Sequence, residues 1–188
     1  MGSSPWEESK MAEISDECER LRPSAEAVKT WRADDQTTAA ERPLRVLIVD
    51  DYADLTYMMS ELIDKCGHDV RVAGDGPTAL QTAATFHPDV MFVDIAMPKM
   101  DGFRVANEIR RSSVVDDCLL IAVTGYGNAA HHTLGMQAGF DHYVVKPVAF
   151  RTLSELLLLA RHRLVRSVEA QEITRKSIGA RASCLDQP

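Results

Sequence analysis

Short runs of apolar residues alternate along the chain with longer segments in which apolar residues recur every three or four positions. The runs begin at Leu44, Val70, Val90, Leu119 and Tyr143. They lack a helical period and are therefore predicted to be strands. The segments between them have the spacing of helices with one buried face. Five strands alternating with five helices predict a parallel sheet covered on both sides, because right-handed crossovers place helices on its faces.

The first and last predicted helices have the clearest spacing. In the first, the positions assigned to the buried face are Leu55, Met58, Met59, Leu62, Ile63 and Cys66. In the last, which is predicted from Phe150 to about Val165, they are Leu153, Leu156, Leu157, Ala160 and Leu164. Both helices are therefore expected to pack on the sheet through one stripe of apolar side chains.

The two ends of the chain differ from the middle. Residues 1–43 carry bunched acids and three prolines without a sustained apolar period, which predicts a polar, disordered tail. Residues 44–165 contain every predicted element and form the expected domain. Residues 166–188 are polar again and are interpreted as an extension that could continue the last helix to about Gly179. A chain of 188 residues is expected to hold a single domain with a full core.

The composition and charge of the chain mainly exclude certain partners and locations. The net charge of −7 argues against a general nucleic-acid or anionic-membrane surface, so neither partner is expected. No apolar run approaches the roughly 18 residues of a membrane helix, and no signal peptide is visible, so a cytoplasmic location is expected. The cysteines are far apart and lack zinc or disulfide spacing, which predicts unpaired thiols in a reducing compartment: Cys18, Cys66, Cys118 and Cys184.

Polar side chains follow four of the predicted strands at the point where each strand ends. Asp50 and Asp51 follow the first strand, Asp94 ends the third, Thr124 the fourth and Lys146 the fifth. The carboxyl ends of parallel strands share one edge of a sheet. In the flavodoxin-like order 2-1-3-4-5, moreover, the first and third strands are neighbours, so the carboxylates would meet at the topological switch point.

Three carboxylates at one edge need compensating positive charge. Each pair at 4 Å repels by about 4 kcal/mol at an effective dielectric near 20. Lys146 offers one charge, and Mg²⁺ is the favoured cation because few carboxylate ligands leave it room for waters and a phosphate oxygen. With Asp94 as nucleophile and Thr124 as hydroxyl donor, these are the parts needed for phosphoryl transfer to a carboxylate.

The segment from about Leu44 to Val165 resembles the receiver domain of two-component response regulators. The resemblance rests on the acidic pair after strand one, the Asp-x-x-Met-Pro-x-Met-Asp-Gly run from Asp94 to Gly102, Thr124, and Lys146-Pro147. It implies that a phosphohistidine donor phosphorylates Asp94, with Mg²⁺ held by Asp51, Asp94, the backbone carbonyl of Ala96 and, through water, Asp50.

The resemblance also implies a switch. Thr124 would move onto the phosphoryl group and the Tyr143 ring would turn inward behind it, while Lys146 would contact a phosphoryl oxygen. The Lys146-Pro147 bond would often be cis. Ala96 and Tyr126 flank the path of an attacking water and are predicted to lengthen the life of the phosphoryl group. Asp101-Gly102 is interpreted as a turn without chemistry.

The function expected from this resemblance is that of a stand-alone response regulator, which catalyses only its own phosphorylation and dephosphorylation. Its donor would be a sensor histidine kinase or a histidine phosphotransfer protein. Its output would be binding of a downstream protein on the face formed by the fourth helix, fifth strand and fifth helix. The alternative is a phosphorelay shuttle or sink that passes the group to a histidine phosphotransfer protein.

Two other classes are disfavoured. Aspartate-nucleophile phosphatases of the haloacid dehalogenase type have a second Asp two residues after the first, where this chain has Ala96. Direct transcriptional control is the least expected output, because no pair of DNA-reading helices is visible. His68, His87 and His142 are scattered without ligand spacing, and none is interpreted as a phosphorelay histidine.

Overall fold

The fold is a five-stranded parallel sheet with helices on both faces. The structure is a computed structural model that describes residues 14–16, 18–22, 42–112, 117–125 and 135–183. The strands lie in the order β2-β1-β3-β4-β5, which confirms the predicted flavodoxin-like arrangement. Their bounds are β1 Arg45–Val49, β2 Asp69–Ala73, β3 Val90–Asp94, β4 Leu119–Thr124 and β5 His142–Val145.

Helices follow the strands in the predicted alternation. They are α1 Ala53–Lys65, α2 Gly76–Phe86, α3 Gly102–Arg111, α4, of which residues 135–138 are described, and α5 Phe150–Ser183. Successive strand residues point to opposite faces, so the core is split into two clusters. One packs against α2, α3 and α4, and the other packs against α1 and α5. In the described part of the chain no helix has the length and apolarity to cross a membrane.

Helix α1 contacts the sheet through a narrower stripe than the apolar pattern predicts. Its buried side chains are Thr56, Met59 and Ile63. Met58, which was assigned to the buried face, is 64% exposed, because a helical residue points about 100° away from its neighbour and Met59 takes the inward position. One side of α1 therefore presents apolar surface outward.

Helix α5 is longer than its apolar pattern predicts. The stripe of Leu153, Leu156, Leu157 and Ala160 is buried as expected. The helix then continues to Ser183, past the predicted Gly179. No proline interrupts residues 166–183, and the polar residues there are compatible with an exposed helix.

The prediction of a disordered tail over residues 1–43 is wrong for the part that the structure describes. Residues 14–16 and 18–21 are helical, and Cys18 and Leu21 are each 5% exposed. Both pack in the cluster beneath α1 and α5, with Ile14 beside them. Residues 1–13, 17 and 23–41 lie outside the described part. Three apolar contact positions among acids are too few to produce a recognisable helical period.

The prediction of unpaired thiols is wrong for two of the four cysteines. Cys18 forms a disulfide with Cys66, the residue that caps the C-terminus of α1. The partners are 48 residues apart in sequence, so no local spacing could indicate the bond. Cys118 is free and buried, and burial raises the pKa of its thiol. Cys184 lies outside the described residues.

Candidate functional site

The carboxyl edge of the sheet gathers the polar residues that follow the strands. Asp94 is the last residue of β3 and pairs with Val123, which directly precedes Thr124 at the end of β4. Asp50 follows β1, where its N–H donates to the Ala73 carbonyl at 3.1 Å. The sheet register therefore brings these side chains to one edge.

Lys146 joins two of the carboxylates. Its Nζ donates to Asp50 Oδ2 at 2.6 Å and lies 3.1 Å from Asp94 Oδ2. Burial alone would lower the pKa of the Lys146 ammonium, but the hydrogen bonds and charges of Asp50 and Asp94 hold it above its usual value. Lys146 therefore stays a cation at neutral pH and neutralises part of the acidic cluster. Its peptide bond to Pro147 is cis, as the resemblance implies.

The three carboxylates form a group that could hold a metal ion. One oxygen from each of Asp50, Asp51 and Asp94 lies within 4.8 Å of the others. Asp50 is already engaged, since its Oδ1 accepts from the Tyr52 N–H at 2.9 Å. By contrast, Asp94 Oδ1 is buried and has no hydrogen-bond partner among the described residues. Such an oxygen needs a donor or a cation, and oxygen ligands suit Mg²⁺. The donor set therefore fits this metal.

The loop after Asp94 is shaped by its closing Asp-Gly pair. A Cβ on Gly102 would collide with the Asp94 carbonyl oxygen, so only glycine allows α3 to start this close to β3. The Asp101 carboxylate accepts from the Arg104 N–H at 2.8 Å and caps the same helix. This pair thus has the structural role that the sequence suggests.

The site opens to solvent on one side. Asp94 is only 5% exposed, whereas Asp51 and Ala96 are exposed at the surface. Helix α1 and the residue before it, which directly follows Asp51, expose three large side chains, Tyr52, Tyr57 and Met58. The sequence interpretation missed this patch, because the apolar period of α1 does not say which side faces solvent.

The remaining predicted residues lie around this centre. Thr124 is fully buried. The Tyr143 ring is half-buried in the cluster beneath α2, α3 and α4, and a Cβ added at Gly135 would lie 3.3 Å from it. Tyr126 lies outside the described residues.

Comparison with known proteins agrees with the fold. The profile of the family described as the response regulator receiver domain matches residues 46–158. Chemotaxis protein CheY4 of Vibrio cholerae superposes with a TM-score of 0.60 at 29% identity, over 63% of this chain and 98% of that chain. All the elements that form the site fall within the matched region.

Two curated relatives are similar at the level of sequence. "Probable transcriptional regulator ycf27" of Guillardia theta is 34% identical over 134 residues, which are 71% of this chain and 52% of the relative. "Response regulator MprA" of Mycolicibacterium vanbaalenii is 34% identical over 125 residues, 66% of this chain and 52% of the relative. The chain spans about half the length of the curated relatives that it matches.

Proposed function

The chain belongs to the response regulator receiver domain family, and we propose that its Asp94 accepts a phosphoryl group from a phosphohistidine donor. The main support is the state of Asp94, a buried carboxylate with one oxygen paired to Lys146 and the other without a partner among the described residues. The relatives whose names describe transcriptional regulators are about twice as long as the matched part, so the proposal is limited to the receiver activity.

The proposed reaction is an in-line phosphoryl transfer. A carboxylate oxygen of Asp94 attacks phosphorus, the O–P bond forms, and the P–N bond breaks with its electron pair returning to the donor imidazole. Asp50, Asp51 and Asp94 would hold Mg²⁺, with the Ala96 carbonyl as a further ligand, and the bound ion supplies positive charge for the phosphoryl oxygens. Lys146 lies close enough to Asp94 to contact the transferred group.

The donor would dock beside α1. Tyr52, Tyr57 and Met58 are 62%, 65% and 64% exposed, and a cluster of exposed apolar side chains beside a reactive carboxylate suits protein contact. Replacing Met58 by Ala should slow transfer from a phosphohistidine protein and leave transfer from acetyl phosphate unchanged. Equal slowing with both donors would contradict this docking surface.

The output would be binding of a downstream protein on the α4, β5 and α5 face. Met136 and Val145 on this face are 50% and 47% exposed. Thr124 and Tyr143 would link Asp94 to the face by the implied switch, and a shift from 1:99 to 99:1 needs about 5.5 kcal/mol of differential stabilisation. We also propose that the protein is cytoplasmic, where histidine kinases expose their phosphohistidine and where the disulfide described above would be open to reduction, and that it catalyses only its own phosphorylation and dephosphorylation.

The lifetime of the phosphoryl group would depend on Ala96 and Tyr126. Ala96 is exposed beside Asp94 and has no polar atom to orient a water. The variant Ala96→Asn should therefore change the rate of dephosphorylation, followed by loss of the adduct after the donor is removed. An unchanged rate would show that residue 96 does not control this step.

The test of the proposed function is intact-protein mass after incubation with acetyl phosphate. One phosphoryl adduct should form on the wild type with Mg²⁺, and none should form with chelator or on Asp94→Asn. The exposed acid Asp64 gives a matched control, so Asp64→Asn should react like the wild type. An adduct that survives Asp94→Asn would reject Asp94 as the acceptor.

A second experiment separates a binding output from a phosphorelay shuttle. The radiolabelled phosphoprotein is mixed with a histidine phosphotransfer domain. Label that stays on Asp94, together with partner capture that requires phosphorylation, supports the binding output. Rapid transfer of label to the added domain supports the shuttle.

A further inference from the structure

A polar cavity lies at the amino edge of the sheet, opposite the acidic site. It has a volume of about 130 Å³, and its walls come from the N-terminal segment, the start of β2 and helix α5. Its polar lining residues are Arg20, Arg22, His68 and Arg161, and leucines form the rest. The cavity has no residue in common with the acidic site at the carboxyl edge.

The described residues that line the cavity include three arginines and no carboxylate, so the lining is positively charged. The negative charge of Asp89 acts on both His68 and Arg161, but this carboxylate is held by Arg42 at 2.6 Å and by the backbone N–H of Arg45 at 2.7 Å. The guanidinium of Arg161 donates to the Arg42 carbonyl. Burial, followed by the charge of Arg42, lowers the pKa of Arg161. The local potential is therefore positive and only partly compensated.

His68 adds a buried group that needs a partner. The residue is 3% exposed, and neither ring nitrogen has a hydrogen-bond partner of good geometry among the described residues, apart from a weak polar interaction with the Gly67 backbone. Burial and then the Arg161 charge lower the pKa of His68 to about 4, outweighing the opposite effects of the Gly67 backbone and Asp89. A neutral imidazole still carries one N–H, and a buried N–H without an acceptor is unfavourable.

We propose that this cavity is a binding site for a small oxyanion of the phosphate type, with Arg161, Arg20 and Arg22 supplying charge and His68 a buried N–H. Guanidinium groups hydrogen-bond such anions through their forked N–H groups. The cavity is smaller than the roughly 300–1,000 Å³ of sites for drug-sized ligands, which favours a single small anion over a nucleotide. This site is independent of phosphorylation at Asp94.

The Cys18–Cys66 disulfide helps to build this site. Cys18 lies two residues before Arg20, and Cys66 lies two residues before His68. The bond therefore fastens the segment that carries Arg20 and Arg22 to the part of the chain that carries His68. Arg22 also donates to the Lys65 carbonyl at 3.3 Å. Cleaving the disulfide with a thiol reductant should free this wall and weaken anion binding.

The test follows the ring nitrogens of His68 by NMR during titration with inorganic phosphate. The full chain is used with chelator in an Asp94→Asn background, so that the carboxyl-edge site does not contribute. Phosphate should raise the pKa of His68 by about one unit or more, because an anion beside the imidazole favours its charged form. Sodium chloride at the same ionic strength should have a much smaller effect, because chloride carries a single charge and has no set of oxygens to accept the paired hydrogen bonds of the guanidinium groups.

Variants identify the residues that bind. Arg22→Gln and Arg161→Gln should each weaken phosphate binding by about tenfold, since each removes a charged donor. Arg151→Gln changes an exposed arginine of the same helix outside the cavity and should bind like the wild type. Arg22 is itself exposed, so its variant should fold normally. A His68 signal that does not respond to phosphate, or equal weakening by Arg151→Gln and Arg22→Gln, would overturn the proposal.

Discussion

The two edges of the sheet are chemical opposites. The carboxyl edge collects Asp50, Asp51 and Asp94 around one lysine, and the amino edge collects arginines around the buried His68. At the carboxyl edge each side chain is placed by the end of a strand. At the amino edge the groups come from a disulfide-bound segment, the turn before β2 and the middle of α5.

This difference separates two ways of building a site. Strand ends of a parallel sheet converge by construction, so the carboxyl edge forms wherever the sheet forms. The amino edge depends on elements that have to be fastened over it, by the disulfide and by the packing of Leu21. Perturbations should therefore affect one edge at a time, and the following predictions are ordered from the largest expected effect to the smallest.

Removal of the Cys18–Cys66 bond should destabilise the protein most. The bond closes a loop of 48 residues. By the chain-entropy estimate, this restriction of the unfolded chain stabilises the folded protein by about 4 kcal/mol. Reductant should lower the free energy of unfolding of the wild type, measured in denaturant, and leave the double variant Cys18→Ala/Cys66→Ala unchanged. The rate of Asp94 phosphorylation should persist under reductant, and its loss would show that the two edges are not separable.

Acid should destabilise the amino edge through His68. Unfolded His68 takes up a proton below its ordinary pKa of 6.5, whereas folded His68 does so only near 4, so stability falls as pH drops through this interval. Relative to His68→Leu, the wild type should lose about 3 kcal/mol of unfolding free energy between pH 7 and pH 4. An equal pH dependence for the wild type and His68→Leu would contradict this role for His68.

Removal of the lysine charge should impair only the carboxyl edge. Lys146→Met removes the cation that contacts Asp50 and Asp94, and the loss of one charged contact to the transferred group should slow phosphorylation about 100-fold. The rate is measured as adduct formation with acetyl phosphate. Lys65→Met, a change at an exposed lysine, should react normally. A normal rate for Lys146→Met would remove this lysine from the proposed mechanism.

The smallest expected effect comes from Asp101, an acid near the carboxyl edge that has a structural role and no proposed role in the reaction. Asp101→Ala removes the cap of α3 and should cost about 1 kcal/mol of unfolding free energy. The variant Asp101→Asn keeps a capping oxygen and should recover most of this loss. Both variants should be phosphorylated at Asp94 at the wild-type rate, and a large drop in rate would give Asp101 a chemical role.

Much of the sheet and of the carboxyl edge could be predicted from the sequence for a physical reason. Buried parallel strands are continuous apolar runs, and the residue that ends each run marks the edge. This rule identifies Asp94 from the sequence alone. The role of Tyr143 cannot be identified in this way, because the sequence leaves both half-buried sheet packing and a switch residue open.

The amino edge could not be predicted, because its contacts are distant in sequence and carry no period. His68 is flanked by Gly67 and Asp69, a context typical of an exposed turn, and it is buried only because α5 and the N-terminal segment cover it. The 48-residue separation of Cys18 and Cys66 gives no framework spacing. The outward direction of Met58 likewise depends on the angle at which α1 packs.

Helix α5 is long enough that a small tilt would displace its far end much more than its near end. Treated as a straight rod at 1.5 Å per residue, the helix from Phe150 to Ser183 rises about 50 Å, and Arg161 lies about 16 Å from its start. A tilt about the Phe150 end, close to Lys146, that displaces Arg161 by about 1 Å would therefore displace Ser183 by about 3 Å. Any small tilt of α5 would thus displace the far end of the helix about three times as much as it displaces Arg161.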